Sequence, residues 1–321
     1  MAYNDYISRD DADGLIPDEF AQEILGNMAD TFWLMNISRR LRDMSTRVRT
    51  MPVKTALAAA GFVSGDTGLK QTSKVSWEGK NITAEEIAVI VAVPDAVVAD
   101  IEDGMGYDLW GGIKKDIEEA LSVVLTEAVL YGTDIPTSWT TDLGAAGLVA
   151  LATAASQTVS LAGFTDQYEA ILGESADAAA DGVLAMLEAD GFQATQHVAH
   201  VGIKTMLRNC RDANGLPIFP SVNDIEGVPV LYPNDGSISS TNKMLSGDWS
   251  NLVWSMRQDI TYKVLDQAVI TDAAGNIIWN FAQQDMSGLR CVMRIGFAAP
   301  NPINRMQETE ASRCPWVVTT A

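Results

Sequence analysis

The residues best suited to acid–base or metal chemistry are His197 and His200, the only histidines in the chain. Histidine is the side chain used most often for proton transfer near neutral pH, and it is a common metal ligand. On a strand, side chains three residues apart point to opposite faces, so a shared metal site would need a helical segment and carboxylates from elsewhere. We therefore predict that both are edge or core-rim residues. A metal-assisted hydrolase built on them stays open as a remote alternative.

The cysteines and the common catalytic motifs also give no indication of an active site. Cys210, Cys291 and Cys314 are odd in number and lack CxxC spacing, which argues against a disulfide framework and a thiolate zinc site. Free thiols fit a reducing compartment best. The motifs GxxxxGK[ST], GxGxxG, HExxH and GxSxG do not occur. The sequence predicts no enzyme activity, no cofactor and no metal.

Composition narrows the classes of partner. The 321 residues carry 42 acidic and 22 basic side chains, a net charge of −20, so a polyanion is repelled by most of the surface and nucleic acid is not expected to bind directly. A hydrophobic content of 47% with only 20% charged residues excludes a disordered acidic protein. No apolar run approaches the roughly 18 residues that a membrane span needs. We expect part of the apolar surface to be hidden between chains.

Positive charge is concentrated in residues 39–54, here called the basic segment, where Asp43 is the only acid. Its basic side chains are Arg39, Arg40, Arg42, Arg47, Arg49 and Lys54. The net charge of +5 leaves −25 on the remaining chain, so the basic segment is complementary to the rest of the molecule or to copies of it. It fits either a solvated basic helix face or an arm for self-association.

A polar β-ribbon is predicted next along the chain. Val53–Val63 and Leu69–Thr83 flank Ser64–Gly68, a cluster of turn-forming residues. The second limb is mostly polar, with only Val75 and Trp77 in alternation. An isolated two-stranded ribbon is at best marginally stable in water, so either a neighbouring subunit or a helix of the same chain must cover it.

One long helix and one apolar strand stand out after the ribbon. Apolar residues recurring every four positions predict a helix over Leu109–Tyr131, with Gly132 as its stop. At 1.5 Å per residue this helix would be about 35 Å long. The uninterrupted apolar run Ile87–Val93, ended by Pro94, predicts a strand buried on both faces.

The remaining chain is predicted to be a mixed α/β layer followed by a strand-rich last third. Residues 133–157, rich in Thr, Ala and Gly, predict a loop or domain boundary. Further along, the pattern predicts helices at 176–189 and 203–211, and strands at 195–201, 228–232, 251–256, 260–265, 268–271, 277–282 and 289–297. In the last strand, apolar side chains share one face, while Arg290 and Arg294 share the other, where we expect carboxylate partners.

In this order, the segments resemble the major capsid protein family of tailed bacteriophages, which has the Hong Kong 97 type of fold also found in encapsulins. Besides the basic segment, the polar ribbon and the apolar strand, the resemblance rests on short motifs. They are LIPDEFAQEIL at 15–25, YGTD at 131–134, IEGVPV at 225–230, GDW at 247–249, MRQDI at 256–260 and RCVMRIGF at 290–297. The resemblance covers nearly the whole chain, and it lies in the conjunction of motifs that are individually weak.

The resemblance implies an α+β fold with four parts. These are an N-terminal arm at 1–50, an extended β-hairpin loop at 51–83, a peripheral domain with a long spine helix at 84–159 and 286–321, and an axial α/β domain at 160–285. Contacts between subunits would come from Arg39, Arg40, Arg42, Arg47 and Arg49 in the arm, and from Lys54, Gly65, Asp66, Lys70, Lys74, Trp77 and Lys80 in the loop. Arg290 and Arg294 would lie on the peripheral-domain strand.

The implied function is that of a major capsid protein. Pentamers and hexamers would form the icosahedral head of a virion, assembled in the host bacterial cytoplasm, that encloses double-stranded DNA without specific binding. An encapsulin-like compartment shell is the nearest alternative. Because only fourteen residues precede Leu15, we expect a separate scaffolding protein, and a portal protein and a decoration protein are further candidate partners.

Covalent cross-linking is a further family feature that the resemblance raises. Some relatives join a lysine of the extended loop to an asparagine of the peripheral domain with the help of a glutamate. Lys70, Lys74 and Lys80 could supply the amine and Asn301 or Asn304 the amide. No catalytic glutamate can be assigned from the sequence.

Overall fold

The computed structural model describes residues 31–63, 69–105, 108–144, 146–163, 168–173, 182–212 and 214–320. Within these ranges the helices are α1 (Trp33–Ile37), α2 (Asp95–Met105), α3 (Leu109–Tyr131), α4 (Thr140–Leu143), α5 (Gly147–Ala154), α6 (Glu169–Leu172), α7 (Val183–Ala189), α8 (Ile203–Asn209) and α9 (Phe281–Gln284). The strands are β1 (Arg39–Arg40), β2 (Val48–Ala56), β3 (Ser76–Thr83), β4 (Glu85–Pro94), β5 (Thr158–Ser160), β6 (Gln196–Ala199), β7 (Asp224–Ile225), β8 (Val228–Leu231), β9 (Asn242–Gly247), β10 (Val253–Leu265), β11 (Val269–Thr271), β12 (Ile277–Asn280), β13 (Met286–Ala298) and β14 (Trp316–Thr320). Helices and strands follow one another irregularly, as an α+β fold requires.

The described residues form two compact units. The first unit comprises residues 85–121 and 258–295, and the second comprises residues 31–84, 122–257 and 296–320. Strands β10 and β13 each contribute residues to both units. No helix in the described ranges is long and apolar enough to cross a membrane.

Helix α3 has the bounds that the sequence predicts, and its spine of apolar side chains is buried. The residues of this stripe are Leu109, Ile113, Ile117, Leu121 and Leu125, with Ala128 continuing it. Gly132 follows with φ 70°, a left-handed conformation that ends helices because glycine adopts it without a steric penalty. The spacing of the apolar residues and the stop at Gly132 together determine where α3 begins and ends.

The first unit is built on the antiparallel pairing of β4 with β13, which runs from Glu85 opposite Ile295 to Pro94 opposite Met286. Apolar side chains of β13 alternate inward as predicted, since Leu289, Cys291, Met293 and Ile295 are all buried. A smaller core of Ala92, Phe281 and Met286 lies beside the β11–β12 hairpin. In the same unit, the Tyr262 hydroxyl of β10 donates to Glu118 Oε1 of α3 at 2.7 Å.

The prediction that Ile87–Val93 is buried on both faces is wrong. Exposed and partly buried side chains alternate along β4, only Ala92 and Val93 are buried, and Ile90 is 44% exposed. Antiparallel strands commonly cover one face only, and an apolar run does not report whether the second face has a partner. The end of the strand at Pro94 is confirmed.

The second unit contains a six-stranded mixed sheet in the order β5-β14-β9-β6-β8-β7. Helices α6, α7 and α8 pack on it through a core that includes Ile171, Leu187, Leu207, Met244 and Val317. This is the mixed α/β layer predicted from the alternating pattern. A second core joins Met44 of the basic segment with Ile82, Ala84, Val253 and Ala298.

Several predicted boundaries differ from those observed. The two strands at 251–256 and 260–265 are one continuous strand, β10, in which Gln258 and Asp259 take part in a regular alternation of burial instead of breaking it. The predicted strand at 277–282 ends at Asn280, where α9 begins. Residues 133–157 contain α4 and α5, and in α5 alanine and leucine favour the helix even though glycine and threonine are frequent nearby. Helix α7 covers 183–189, whereas residues 174–181 lie outside the described ranges.

Candidate assembly surfaces

The basic segment is not a helix, so that alternative is wrong. Arg39 and Arg40 form β1, which pairs in parallel with Val253 and Trp254 at the start of β10. The backbone amides of Leu41 and Met44 continue this attachment by donating to the carbonyls of Trp254 and Met256, both at 2.8 Å. The backbone is thus fixed within the second unit, and most of the basic side chains are left on the surface.

The arginines of the basic segment differ in their surroundings. Arg40 lies 5.3 Å from the centroid of the Trp254 ring and forms an exposed ion pair with Asp43 at 3.0 Å. Arg49 Nη1 donates to the carbonyl of Arg42 at 2.5 Å. Arg39 and Arg42 are exposed and have no acidic partner among the described residues. Arg47 is also exposed.

The ribbon is shorter at its outer end and longer at its base than predicted. Strands β2 and β3 pair from Val48 opposite Thr83 to Ala56 opposite Ser76, with a bulge near Lys54. Residues 57–63 and 69–75 have no regular secondary structure, so strands to Val63 and from Leu69 are wrong. The regular pairing of β2 with β3 ends close to this bulge. Local residue propensities do not predict where a bulge occurs. Gly65 and Asp66 lie outside the described residues.

The outer end of the paired strands is held by the segment 300–313 of the same unit. The Ile303 amide donates to the Lys54 carbonyl at 3.2 Å, and Arg305 Nη2 donates to the Ala58 carbonyl at 2.8 Å. Lys80 Nζ lies 3.2 Å from Glu310 Oε1. The cover at this point therefore comes from the segment 300–313, which contains a short 3-10 helix but no α-helix.

Charge is concentrated around Lys80. Burial raises the pKa of the Asp142 carboxyl, the nearby Glu78 and Glu310 raise it further, and Lys80 lowers it. Lys80 thus lies among three carboxylates, those of Glu78, Asp142 and Glu310. Because the Lys80 side chain is only 20% exposed, it supports the ribbon within its own chain.

The two outer segments of the ribbon expose large apolar side chains, and we call them together the extended limb. The extended limb comprises residues 57–63 and 69–77. Phe62 is 109% exposed, Leu69 89% and Trp77 62%. Lys70 and Lys74 are exposed beside them. Sequence analysis did not identify Phe62 and Leu69 as contact residues. The feature that could have identified them is that each is a large apolar residue close to a glycine-rich turn.

Neither candidate asparagine for cross-linking is free. Asn301 Nδ2 donates to the Arg313 carbonyl at 2.8 Å, and its Oδ1 accepts from Arg313 Nε at 3.1 Å. Asn304 Nδ2 donates to the Asp190 carbonyl at 2.7 Å, and its Oδ1 accepts two backbone amides. Both carboxamides are committed to bonds that shape the segment 300–313.

Arg313 organises that segment and was also missed. It is 4% exposed, and its guanidinium donates to the carbonyls of Asn301, Gln307 and Glu308 at 2.9, 2.9 and 3.3 Å. A buried arginine needs this many acceptors because an unpaired buried charge is very costly. A lone arginine in an irregular segment has no motif by which sequence could identify it.

The two arginines predicted to share one face of β13 differ in their partners. Arg294 pairs with Glu86 on β4, as expected, with Nη2 2.6 Å from Oε2. Arg290 is exposed and has no carboxylate partner among the residues described here, so the expectation fails for it. Arg290 lies opposite Ile90 in the β-ladder, which explains the difference.

The histidines do not form a joint site. His197 is buried in β6, where Nδ1 lies 2.7 Å from Ser246 Oγ, and burial lowers the pKa of its imidazole to about 4 against smaller opposing effects of Asp224 and Ile225. His200 Nδ1 accepts from the Gly202 amide at 3.1 Å. No cluster of His, Cys, Asp or Glu suited to a metal ion occurs in the described ranges.

The two units differ in charge. The first unit carries 14 acidic and 5 basic side chains in residues 85–121 and 258–295. The basic segment belongs to the second unit. The basic segment of one copy is therefore complementary in charge to the first unit of another copy.

Comparison with known proteins gives a consistent result. The family model described as "Phage capsid family" matches residues 12–304. A solved structure from Microbacterium phage Oxtober96 is 31% identical, with a TM-score of 0.77 over 98% of this chain and 99% of that chain. One from Mycobacterium phage Adephagia is 27% identical, with a TM-score of 0.77 over 98% and 97%. The capsid of an empty GTA particle shares the fold at 16% identity, with a TM-score of 0.61 over 98% and 97%. No curated protein matches.

Proposed function

The chain belongs to the phage capsid family and is a major capsid protein of a phage head, and we propose that its extended limb and basic segment join neighbouring subunits into pentamers and hexamers. The chain has the Hong Kong 97 type of fold. Within it we assign residues 1–50 to an N-terminal arm, 51–83 to the extended loop, 84–159 with 286–321 to a peripheral domain, and 160–285 to an axial domain.

The observation that carries the proposal is an anchored ribbon with an uncovered outer end. Ile303 and Arg305 hold the ribbon at the carbonyls of Lys54 and Ala58, while the large side chains of Phe62, Leu69 and Trp77 remain exposed. Exposing such side chains together is unfavourable at roughly 25 cal/mol per Å² of apolar surface, so clustered exposure marks an interaction site. In a shell, the adjacent copy supplies the missing cover. Lys70 and Lys74 flank this contact, and Gly65 and Asp66 belong to the same loop.

The basic segment supplies a second contact by electrostatics. Arg39 and Arg42 lack acidic partners in the described part of their own chain, and the first unit of another copy is rich in carboxylates. Each contact of this kind is weak by itself. Closed symmetry repeats it many times, so modest interfaces suffice for a stable shell.

Other partners follow from the charge and from the family. A net charge of −20 favours DNA that is enclosed without specific binding, because phosphates are repelled by most of the surface. A separate scaffolding protein, a portal protein and a decoration protein complete the proposed assembly in the host bacterial cytoplasm. The buried and bonded His197 supports a structural protein without catalytic function.

The test is assembly of the purified protein, followed by sedimentation velocity and negative-stain microscopy. We expect closed particles from the parent chain and folded, unassembled subunits from a Phe62→Asp/Leu69→Asp variant. The matched control, Phe62→Leu/Leu69→Met, keeps both positions apolar and should assemble. Normal particles from the aspartate variant would refute the role given to the extended limb.

A further inference from the structure

Helix α8 presents a row of unpaired cations on its outer face. Lys204 and Arg208 are four residues apart, which places them on one side of the helix, and Arg211 follows two residues after the helix ends, where the extended chain pairs with Pro217. Ile203 and Leu207, on the adjacent side of the helix, are fully buried in the core of the second unit. We call Lys204, Arg208 and Arg211 the α8 basic face.

The α8 basic face is available for a partner. Arg208 and Arg211 are exposed, and none of the three cations forms an ion pair within the described ranges. Lys204 Nζ lies 4.1 Å above the centroid of the Tyr232 ring, which holds its charge at the surface. Val201 and Leu216 beside it are 50% and 63% exposed. The surface therefore combines positive charge with apolar area.

A complementary surface lies at the edge of the same sheet. Strands β7 and β8 form a hairpin whose turn is Glu226–Gly227, with φ values of 52° and 81°. Two successive positive φ values define the tight hairpin turn in which Asn or Gly is preferred, yet this chain has a glutamate there. Asp224 and Glu226 are exposed at this tip. We call these two carboxylates the β7–β8 tip.

We propose that the α8 basic face binds the β7–β8 tip of a second copy of this chain, so that successive copies join head to tail around a ring. Two different surfaces of one chain that complement each other give a heterologous contact, and such contacts close into rings when the rotation permits. This inference rests on the proposed function and specifies one contact within its pentamers and hexamers.

Charge and composition favour a protein partner over DNA. The chain carries a net charge of −20, so a DNA molecule that approached this face would also meet repulsion from most of the surrounding surface. The exposed Val201 and Leu216 suit a protein surface, because interfaces bury apolar side chains next to a charged rim. An opposite charge on an identical neighbour also sets the direction in which copies add.

Charge exchange in the full-length protein tests this contact. In Arg208→Glu/Arg211→Glu, like charges face each other, and we expect the protein concentration for half-maximal assembly to rise about tenfold or more at low salt. Adding Glu226→Arg to that variant restores opposite signs and should recover most of the assembly. Lys263→Glu, which changes an exposed cation of β10, is the control and should assemble like the parent.

The outcomes separate this contact from the function as a whole. A parent protein that stays monomeric overturns both proposals. A parent that assembles together with an equally competent Arg208→Glu/Arg211→Glu variant overturns only the α8 contact, as does a triple variant that fails to recover while its circular dichroism remains native. Salt-dependent binding of a double-stranded DNA fragment that is lost in Arg208→Glu/Arg211→Glu would assign the face to DNA and overturn the contact as well.

Discussion

Arg294 and Glu86 lie directly opposite each other on β13 and β4, and both Nε and Nη2 of the arginine contact Glu86 Oε2, at 2.8 and 2.6 Å. The pair joins the two strands on which the first unit is built. Its side chains are 40% and 46% exposed, so water screens part of the attraction.

Removing this charge pair should have a small effect. We expect Glu86→Gln to lower the free energy of unfolding by about 0.5–1 kcal/mol, with the loss shrinking at high salt. Urea unfolding of unassembled subunits measures it, and Arg290→Gln on the same strand, a residue without an ion pair in the described ranges, is the control. A loss that is unchanged in 1 M salt contradicts an electrostatic origin.

His197 makes stability depend on pH. The unfolded chain binds a proton at the ordinary histidine value of 6.5, whereas burial lowers the pKa of the folded imidazole to about 4. Between these values the unfolded state binds more protons, so stability falls as pH drops through this window, by up to about 3 kcal/mol.

His197→Asn should flatten that part of the pH dependence while retaining a polar group near Ser246. Urea unfolding at several pH values between 7 and 4 gives the slopes, and His200→Asn removes the other imidazole as a matched control. An equal change of slope in both variants would show that His197 is not responsible.

Arg313 should prove sensitive even to a conservative change. Arg313→Lys keeps the charge but cannot reach the carbonyls of Asn301, Gln307 and Glu308 together, so we expect a loss of about 3 kcal/mol in the free energy of unfolding. Hydrogen exchange of residues 300–313 should accelerate as well. Arg305→Lys, which affects one exposed bond to Ala58, should change stability by less than about 1 kcal/mol. Equal losses in the two variants contradict the special role of Arg313.

Two glycines with positive φ separate backbone strain from close packing. Gly275 has φ 86° with open space around it, so Gly275→Ala should cost about 1–2 kcal/mol. Gly147 has φ 73°, and an added Cβ would lie 2.6 Å from the Leu130 carbonyl carbon and oxygen, so Gly147→Ala should cost well over about 3 kcal/mol. Thermal unfolding compares the two variants. A similar Tm for both would mean that the backbone at the start of α5 can shift to accommodate the added Cβ at little cost in stability.

Charge reversal in the basic segment should weaken assembly. We expect Arg39→Glu/Arg42→Glu to form fewer particles than the parent at low salt, with the difference narrowing as ionic strength rises and the Debye length falls below about 10 Å. Arg39→Lys/Arg42→Lys keeps the charge and serves as the control. Light scattering during assembly measures both, and unchanged assembly of the reversed variant at low salt counts against this contact.

Sequence reasoning succeeded where the determinants were local. The bounds of α3 follow from apolar spacing and Gly132, and the buried face of β13 follows from strict alternation. Sequence reasoning was less accurate where the end of a strand or the burial of a face depends on residues that are distant in the chain. Strand β2 ends near Lys54, whose carbonyl is bonded to Ile303, some 250 residues away in the chain. The exposed second face of β4 likewise depends on what packs there and not on its own composition.

The candidate contacts were predicted unevenly for similar reasons. Net charge identified Arg39 and Arg42, because clustering of one sign is visible in any sequence. Phe62 and Leu69 were passed over because apolar side chains are ordinarily expected inside, and only the fold shows them outside. Arg313 acts through acceptors in an irregular segment, where composition gives no warning.

The three thiols described above are all buried, and burial raises the pKa of Cys291 and, to about 12, that of Cys314. Only the thiolate reacts readily with oxidants or disulfides, so these sulfurs stay inert while the chain is folded. Subunits whose thiols are buried in this way should therefore assemble without disulfide exchange between chains, whatever the redox state of their surroundings.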